Sequence, residues 1–207
     1  MKKIGRFCVI TDNVIQNKYS HIEIASMAIK GGADMIQFRD KNMTTGELID
    51  TAIVIKKLCS KSRVLFIIND RTDVALVTNA DGVHLGKEDI SIKDARKLLG
   101  KNKIIGGTAH SLSEAALREK EGADYIGFGH IYQTFSKHKT DKPKGLDYLK
   151  KVVSKIKIPV FAIGGINNSN IYNVMKTEVH GVAVIGGVIK ETRPVKAAKA
   201  LRKAIYG

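Results

Sequence analysis

The segment Gln37-Phe38-Arg39-Asp40-Lys41 places an amide and two cations at alternate positions. On a strand, alternation turns Gln37, Arg39 and Lys41 to one side. An arginine fork and a mobile lysine charge converging on one point suit a phosphate or diphosphate, although Arg39 could equally pair with Asp40 or a neighbour. Two carboxylates follow, each just beyond an apolar run: Asp70 in Ile68-Asn69-Asp70-Arg71 and Asp89 in His84-Leu85-Gly86-Lys87-Glu88-Asp89. Hard oxygen ligands from two loops suit Mg²⁺, which takes one or two carboxylates and completes its shell with water and substrate phosphate oxygens. Helix capping is the competing role for both, and Asp73 is assigned to capping alone.

Two glycine pairs stand at corresponding places, Ile163-Gly164-Gly165-Ile166 and Ile185-Gly186-Gly187-Val188. Missing side chains let backbone N–H groups approach an anion, with the following helix terminus adding its dipole. Between these clusters lie Thr108-Ala109-His110 and Gly129-His130-Ile131-Tyr132-Gln133-Thr134-Phe135-Ser136-Lys137. In the second, the hydroxyls of Thr134 and Ser136 flank Phe135, Lys137 adds a cation, and His130 could move a proton near neutral pH. His84 is expected to fill interior space, and His21, His138 and His180 to be incidental. With no His-x-His or cysteine cluster a zinc site is not expected, and Cys8 and Cys59 read as buried thiols.

The elements that must position these residues repeat. Four glycine-containing turns, three of them with aspartate, lead into apolar strands: Gly32-Ala33-Asp34, Asn79-Ala80-Asp81-Gly82, Gly122-Ala123-Asp124 and Val179-His180-Gly181. Their spacing of about 40 to 60 residues is two strand-plus-helix units, as for the even strands of an eight-fold barrel. The odd strands are expected at Arg6 to Thr11, Val64 to Ile68, Lys103 to Thr108 and Pro159 to Ile163. Helices are expected between them, with starts marked by Thr44-Thr45-Gly46-Glu47 and Ser111-Leu112-Ser113-Glu114, and a further cap at Asn168 or Ser169. Continuous apolar strands alternating with helices predict an α/β fold, a single-domain (β/α)8 TIM barrel over residues 1–207. An open doubly wound sheet is discounted because Ile10-Thr11-Asp12-Asn13, not a glycine-rich fingerprint, follows the first strand. The one long connection, Gly129 to Gly145, is polar and could close as a lid over the strand ends.

The chain of 207 residues is 43% hydrophobic and carries a formal net charge of +15. Most lysines fall on polar helix faces, and no nucleic-acid module or interleaved aromatic pattern accompanies them, so the charge is read as drift plus steering of small phosphorylated substrates. No signal-like or membrane-spanning run is present, giving the expectation of a cytoplasmic protein with neither nucleic-acid nor membrane partner. The oligomeric state is left open, a homo-oligomer included.

Read together, Gln37 to Lys41, Ile68 to Arg71, Gly82 to Asp89, Gly122 to Gly129 and Ala162 to Ile166 resemble the thiamine-phosphate synthase family over nearly the whole chain. The resemblance implies condensation of 4-amino-2-methyl-5-(diphosphooxymethyl)pyrimidine with 4-methyl-5-(2-phosphooxyethyl)thiazole, or its carboxylated form, to thiamine phosphate and diphosphate. It also implies residue roles. Gln37, Phe38, Arg39, Asp40, Lys41, Asn69, Thr108 and Lys137 would hold the pyrimidine diphosphate, and Asp70 and Asp89 the Mg²⁺ cofactor. Thr134, Phe135, Ser136, Gly165, Ile185 and Gly186 would hold the thiazole phosphate, with Arg39, Lys41, Lys137 and His130 closest to catalysis. The family usually has proline where His130 and Gln133 stand here; this segment is similar to the related thiazole tautomerase, which uses a histidine at that place. That gives a tautomerase as the alternative activity, and a non-catalytic binder of thiamine precursors as a third reading. Retention of Lys41, Asp70 and Asp89 favours the synthase.

Overall fold

The computed structural model describes residues 3–13, 15–16, 18–134 and 142–207. Eight parallel strands close on themselves in chain order: β1 Phe7–Thr11, β2 Met35–Phe38, β3 Leu65–Asn69, β4 Gly82–Leu85, β5 Ile104–Ala109, β6 Tyr125–Gly129, β7 Val160–Ile163 and β8 Gly181–Val184. Helices alternate with them: α1 His21–Lys30, α2 Thr45–Ser62, α3 Thr72–Val77, α4 Ile92–Leu99, α5 Leu112–Lys120, α6 Gly145–Val153, α7 Ile171–Met175, α8 Gly186–Ile189 and α9 Pro194–Tyr206. The ring closes through the pairing of Phe7 with Val182 and Val9 with Val184. The expected (β/α)8 barrel is what forms, because strands packed on both faces read as unbroken apolar runs.

Apolar residues fill two layers. Phe7, Val9, Ile36, Phe38, Phe66 and their equivalents face the helices. Cys8, Ile10, Met35, Ile67, Tyr125 and Phe161 face inward. Both thiols are buried, and burial pushes Cys59 up to about 12 and Cys8 higher still.

The repeated aspartates clamp the end of the barrel where the strands begin. Asp34 accepts the N–H of Phe7 at 2.9 Å, Asp81 that of Phe66 at 2.9 Å, and Asp124 that of Ile105 at 2.7 Å. Each thus ties the start of an even strand to the odd strand before it, and each carboxylate also meets a cation: Arg202, Lys56 and Arg96 respectively. The fourth copy has His180 instead, whose carbonyl accepts from Arg6 Nε at 2.9 Å. With the entry ends fixed in this way, the opposite ends are left to carry loops.

The expected hydroxyl caps of α2 and α5 are present, Thr44 in a reciprocal box with Glu47 and Ser111 accepting from the Glu114 N–H. Three expectations need correction. Asp73 does not cap α3: the position before the helix is Arg71, and Asp73 pairs with its guanidinium. Neither Asn168 nor Ser169 caps α7; Asn170 occupies the cap, and Asn167 and Asn170 bond the preceding turn. The short α8, inserted between β8 and the long α9, was not foreseen, since Gly186-Gly187 reads as a turn.

Candidate functional site

A cavity of about 510 Å³ opens at the carboxyl ends of the strands and extends inward to Cys8, Tyr125 and Phe161. Its wall divides into two chemically different halves.

On the β2 to β5 side the wall is made of polar side chains. Gln37, nearly fully buried, faces the cavity with Arg39, Asn69 and Asp70. The Arg39 guanidinium is held by the buried carboxylate of Asp12, at the end of β1, while its Nε, also buried, has no hydrogen-bond partner among the described residues. A half-buried guanidinium with an unpartnered Nε donor is prepared to receive an anion. Sequence reading cited Asp12 only against a glycine-rich fingerprint, though its place at a strand end was the available signal. Lys41 does not line the cavity; its ammonium sits on the Asp70 carboxylate at the rim.

Asp70 has φ of 64°, the left-handed region, which costs a non-glycine residue roughly 1–2 kcal/mol. That backbone turn brings its carboxylate toward Asp89, whose Oδ2 accepts the Gly86 N–H at 2.6 Å. Burial pushes the Asp89 carboxyl above the usual range; the Gly86 N–H opposes this, and the adjacent Asp70 carboxyl reinforces it. Neither aspartate caps a helix, Ser91 performing that role for α4. Two acidic side chains pushed together beside one lysine form a pair that a divalent cation relieves. Among the described residues no group of three His, Cys, Asp or Glu gathers, so the donor set fits Mg²⁺ completed by water and phosphate better than a protein-only cage.

His84 fills the barrel interior as expected, between Tyr125 Oη at 3.1 Å and Thr108 Oγ1 at 2.9 Å. The space comes from Gly106, where a Cβ would lie 2.6 Å from His84 Nδ1. Phe38 and Asp40, grouped with the pyrimidine-diphosphate residues by the resemblance, do not line the cavity. Phe38 packs in the helix-facing layer, and Asp40 accepts from His21 Nε2 at 2.8 Å. His21 is accordingly not incidental.

On the β7 to β8 side, glycines bring backbone into the wall. Gly164 and Gly165 have φ of 99° and 68°. A Cβ on Gly165 would meet Gln133 O at 2.5 Å and Tyr132 Cβ at 2.7 Å, and one on Gly164 would strike His130. The glycines therefore let the segment after β6 lie directly on the end of β7, joined through Ile131 N–H to Ile163 O at 2.9 Å and Tyr132 N–H to Gly164 O at 3.1 Å. His130 is buried on the cavity wall, and Thr134, Ile185 and Gly186 line the same half. The anticipated helix dipole is slight, because α8 has four residues; local N–H groups are what this side offers. Lys87 and Lys190, which sequence reasoning passed over, also line the cavity. Phe135, Ser136, Lys137 and His138 lie outside the described residues, as does the middle of the connection expected to form a lid.

The family model described as thiamine monophosphate synthase matches residues 7–188. A thiamine-phosphate synthase of Chlorobium phaeobacteroides is 45% identical over 97% of this chain and 96% of its own. One from Salinibacter ruber is 43% identical over 100% and 91%. A solved thiamine phosphate pyrophosphorylase of Pyrococcus furiosus superposes with a TM-score of 0.88 at 41% identity, covering 97% of this chain and 95% of that one.

Proposed function

Because the chain belongs to the thiamine monophosphate synthase family, we propose that it is the transferase joining the pyrimidine diphosphate to the thiazole phosphate, releasing thiamine phosphate and diphosphate. The observation that carries this reading is the meeting, in one cavity, of a guanidinium with an unused Nε donor and the Asp70 carboxylate, which has Asp89 beside it, on one wall and glycine-lined backbone on the other. Each half suits one of the two phosphorylated substrates.

Asp70 and Asp89 would hold Mg²⁺. When bound, the ion supplies charge neutralisation to the diphosphate oxygens. The bond between the pyrimidine methylene and diphosphate breaks with its electron pair leaving on oxygen, and Arg39 and Lys41 offset that growing charge, aided by Lys137. The aminopyrimidine delocalises the resulting cation. The thiazole nitrogen, its phosphate held by Thr134, Ser136 and the N–H groups near Gly165, Ile185 and Gly186, donates its lone pair to form the new C–N bond. No protein nucleophile takes part, so Gln37, Asn69 and Thr108 act by holding the pyrimidine substrate in place. Residues 1–207 serve as one catalytic domain in this reading. No helix among the described residues is long and apolar enough to cross a membrane, and a cytoplasmic location belongs to the same proposal. A steady-state assay should find Mg²⁺-dependent diphosphate release that requires both substrates; no release with either thiazole form overturns the assignment.

The buried place of His130 on the wall supports a second activity, tautomerisation of the carboxythiazole phosphate. Metal-independent isomerisation that disappears in His130→Ala, with thiamine phosphate formation retained, would establish it.

A further inference from the structure

A buried chain of hydrogen bonds runs behind Arg39, out of reach of the cavity. Asp40 Oδ2 lies 2.8 Å from His21 Nε2, and His21 Nδ1 lies 2.8 Å from Thr11 Oγ1. Thr11 Oγ1 in turn accepts the backbone N–H of Arg39 at 3.4 Å. Thr11 is fully buried and His21 nearly so. The other carboxylate oxygen of Asp40 accepts the N–H groups of Asn42 and Met43, at 2.7 and 2.9 Å, fixing the carboxylate itself. His21 is anchored from its own side by the reciprocal box between Ser20 and Glu23 that starts α1, and by the Phe38 ring, whose centroid lies 4.8 Å away edge-on.

With a neutral His21 ring the donors and acceptors have one consistent order. An ionised carboxylate only accepts, so Nε2 carries the imidazole proton and Nδ1 presents a lone pair. The Thr11 hydroxyl donates to that lone pair, which leaves its oxygen to accept from Arg39. This order requires a neutral ring. Burial lowers the His21 pKa, against the opposing influence of Asp40 and, more weakly, Asp12. Burial raises the Asp40 carboxyl, but the bonds from His21, Asn42 and Met43 outweigh it and hold it below its usual range.

Asp12, the residue just after Thr11 and the end of β1, grips the guanidinium of the same arginine. Arg39 is thus fixed at its backbone through Thr11 and at its head through Asp12. We propose that His21 and Asp40 are positioning residues which, through Thr11, set Arg39 for the diphosphate without touching substrate. The inference rests on the reading that Arg39 meets that diphosphate. It reassigns Asp40 from the substrate to the support behind it.

Thr11→Val removes the hydroxyl at nearly constant shape, Thr11→Ser keeps it, and Asp40→Asn removes the terminal charge. Each variant is to be checked by thermal melting, then measured for inorganic diphosphate binding with Mg²⁺ and for steady-state kinetics with both substrates. Thr11→Val and Asp40→Asn should each weaken diphosphate binding, and lower kcat/KM for the pyrimidine diphosphate, by about tenfold, the equivalent of one hydrogen bond. The KM for thiazole phosphate should stay unchanged, Thr11→Ser should recover most of the loss, and the double variant should be no worse than the weaker single one. Lower melting temperatures with unaltered diphosphate binding and KM would show a structural role only and overturn the proposal. Wild-type protein that binds no diphosphate overturns the functional reading and this inference together, whereas normal binding in every folded variant overturns the inference alone. If the variants do not fold, imidazole nitrogen shifts of the wild type decide: an Nε2–H neutral ring at neutral pH supports the chain, and an Nδ1–H or charged ring breaks it.

Discussion

In the proposed function the two walls of the cavity solve the same problem, holding an anion, with different materials. The β2 to β5 wall uses charged and polar side chains already committed to partners, Arg39 on Asp12 and Asp70 on Lys41 and Asp89 at the rim. The β7 to β8 wall uses glycines whose absent side chains bring backbone close. Side-chain charge can follow a leaving group whose charge changes during reaction, and it requires ion-pair partners to hold it ready. Backbone donors suit a phosphate that stays put while its ring reacts. A defect in the first wall should therefore appear in turnover, and a defect in the second in the affinity for one substrate.

Arg39→Ala gives the largest expected effect. It removes a donor set facing the diphosphate and leaves Asp12 buried without its cation, so kcat should fall roughly 10²- to 10³-fold in a steady-state assay. The KM for thiazole phosphate should move little. A fall in thiazole affinity as large as the fall in kcat would dissolve the distinction between the walls. Gly165→Ala is the counterpart. At φ of 68° an alanine is strained, and its Cβ would press on Gln133 O at 2.5 Å. The Ile131 and Tyr132 bonds to the end of β7 should loosen, raising the KM for thiazole phosphate by about tenfold, with kcat at saturation less affected. Equal losses in KM for both substrates would mean that the glycines shape the whole cavity and not one half.

The sequence disclosed the side-chain wall more fully than the backbone wall, for a physical reason. Alternation on a strand end announces where Gln37 and Arg39 point, and two carboxylates at neighbouring strand ends announce a cation. Their supports were invisible. Thr11 and His21 belong to β1 and α1 and Asp12 follows β1, and only the pairing of β1 with β2, Thr11 beside Phe38, brings them behind Arg39. Phe38 and Asp40 were grouped with the site through resemblance to a family segment, although alternation alone turns them away from Arg39. The glycine pairs were legible as a spacing, but the short α8 was not, since nothing in Gly186-Gly187-Val188-Ile189 favours a helix apart from its place before the Pro194 turn. The repeat with aspartate was legible as a period, while its purpose, clamping strand starts, emerged only from the pairing of neighbours.

Asp89→Asn sharpens the contrast by separating function from stability. Asp89 has its pKa raised in the folded protein by burial and by Asp70, so the folded state binds this proton more tightly than the unfolded one. The sign follows: the penalty is fully present above the folded pKa and vanishes as pH falls below the unfolded value. In Mg²⁺-free buffer at neutral pH the variant should melt a few degrees higher than wild type, while losing Mg²⁺-dependent activity. The gain should shrink as pH is lowered through the carboxylate range. No comparable stabilisation is expected from any change on the glycine wall, which carries no crowded like charges. A variant that melts lower than wild type at neutral pH, with Mg²⁺ absent, would show that the Gly86 bond at 2.6 Å outweighs the repulsion.

The smallest effects test whether the division extends to the rim. Lys87 follows β4 and Lys190 ends the short α8 after β8, strands opposite each other in a ring of eight, and both line the cavity. Neither forms an ion pair among the described residues. The Lys190 stem folds over the glycine cradle, its Cδ 3.5 Å from where a Gly186 Cβ would be. Both are exposed cations, so each should contribute modestly and be screened by salt. Lys190→Ala should raise the KM for thiazole phosphate roughly two- to fivefold and leave that for the pyrimidine diphosphate alone; Lys87→Ala should do the reverse. Both effects should diminish as ionic strength rises, whereas the Gly165→Ala effect should not, because steric displacement of backbone has no charge to screen. Salt thus distinguishes the two kinds of contribution within one wall: a Lys190→Ala loss that persists at high salt would mean that the lysine acts by packing on Gly186 and not by its charge.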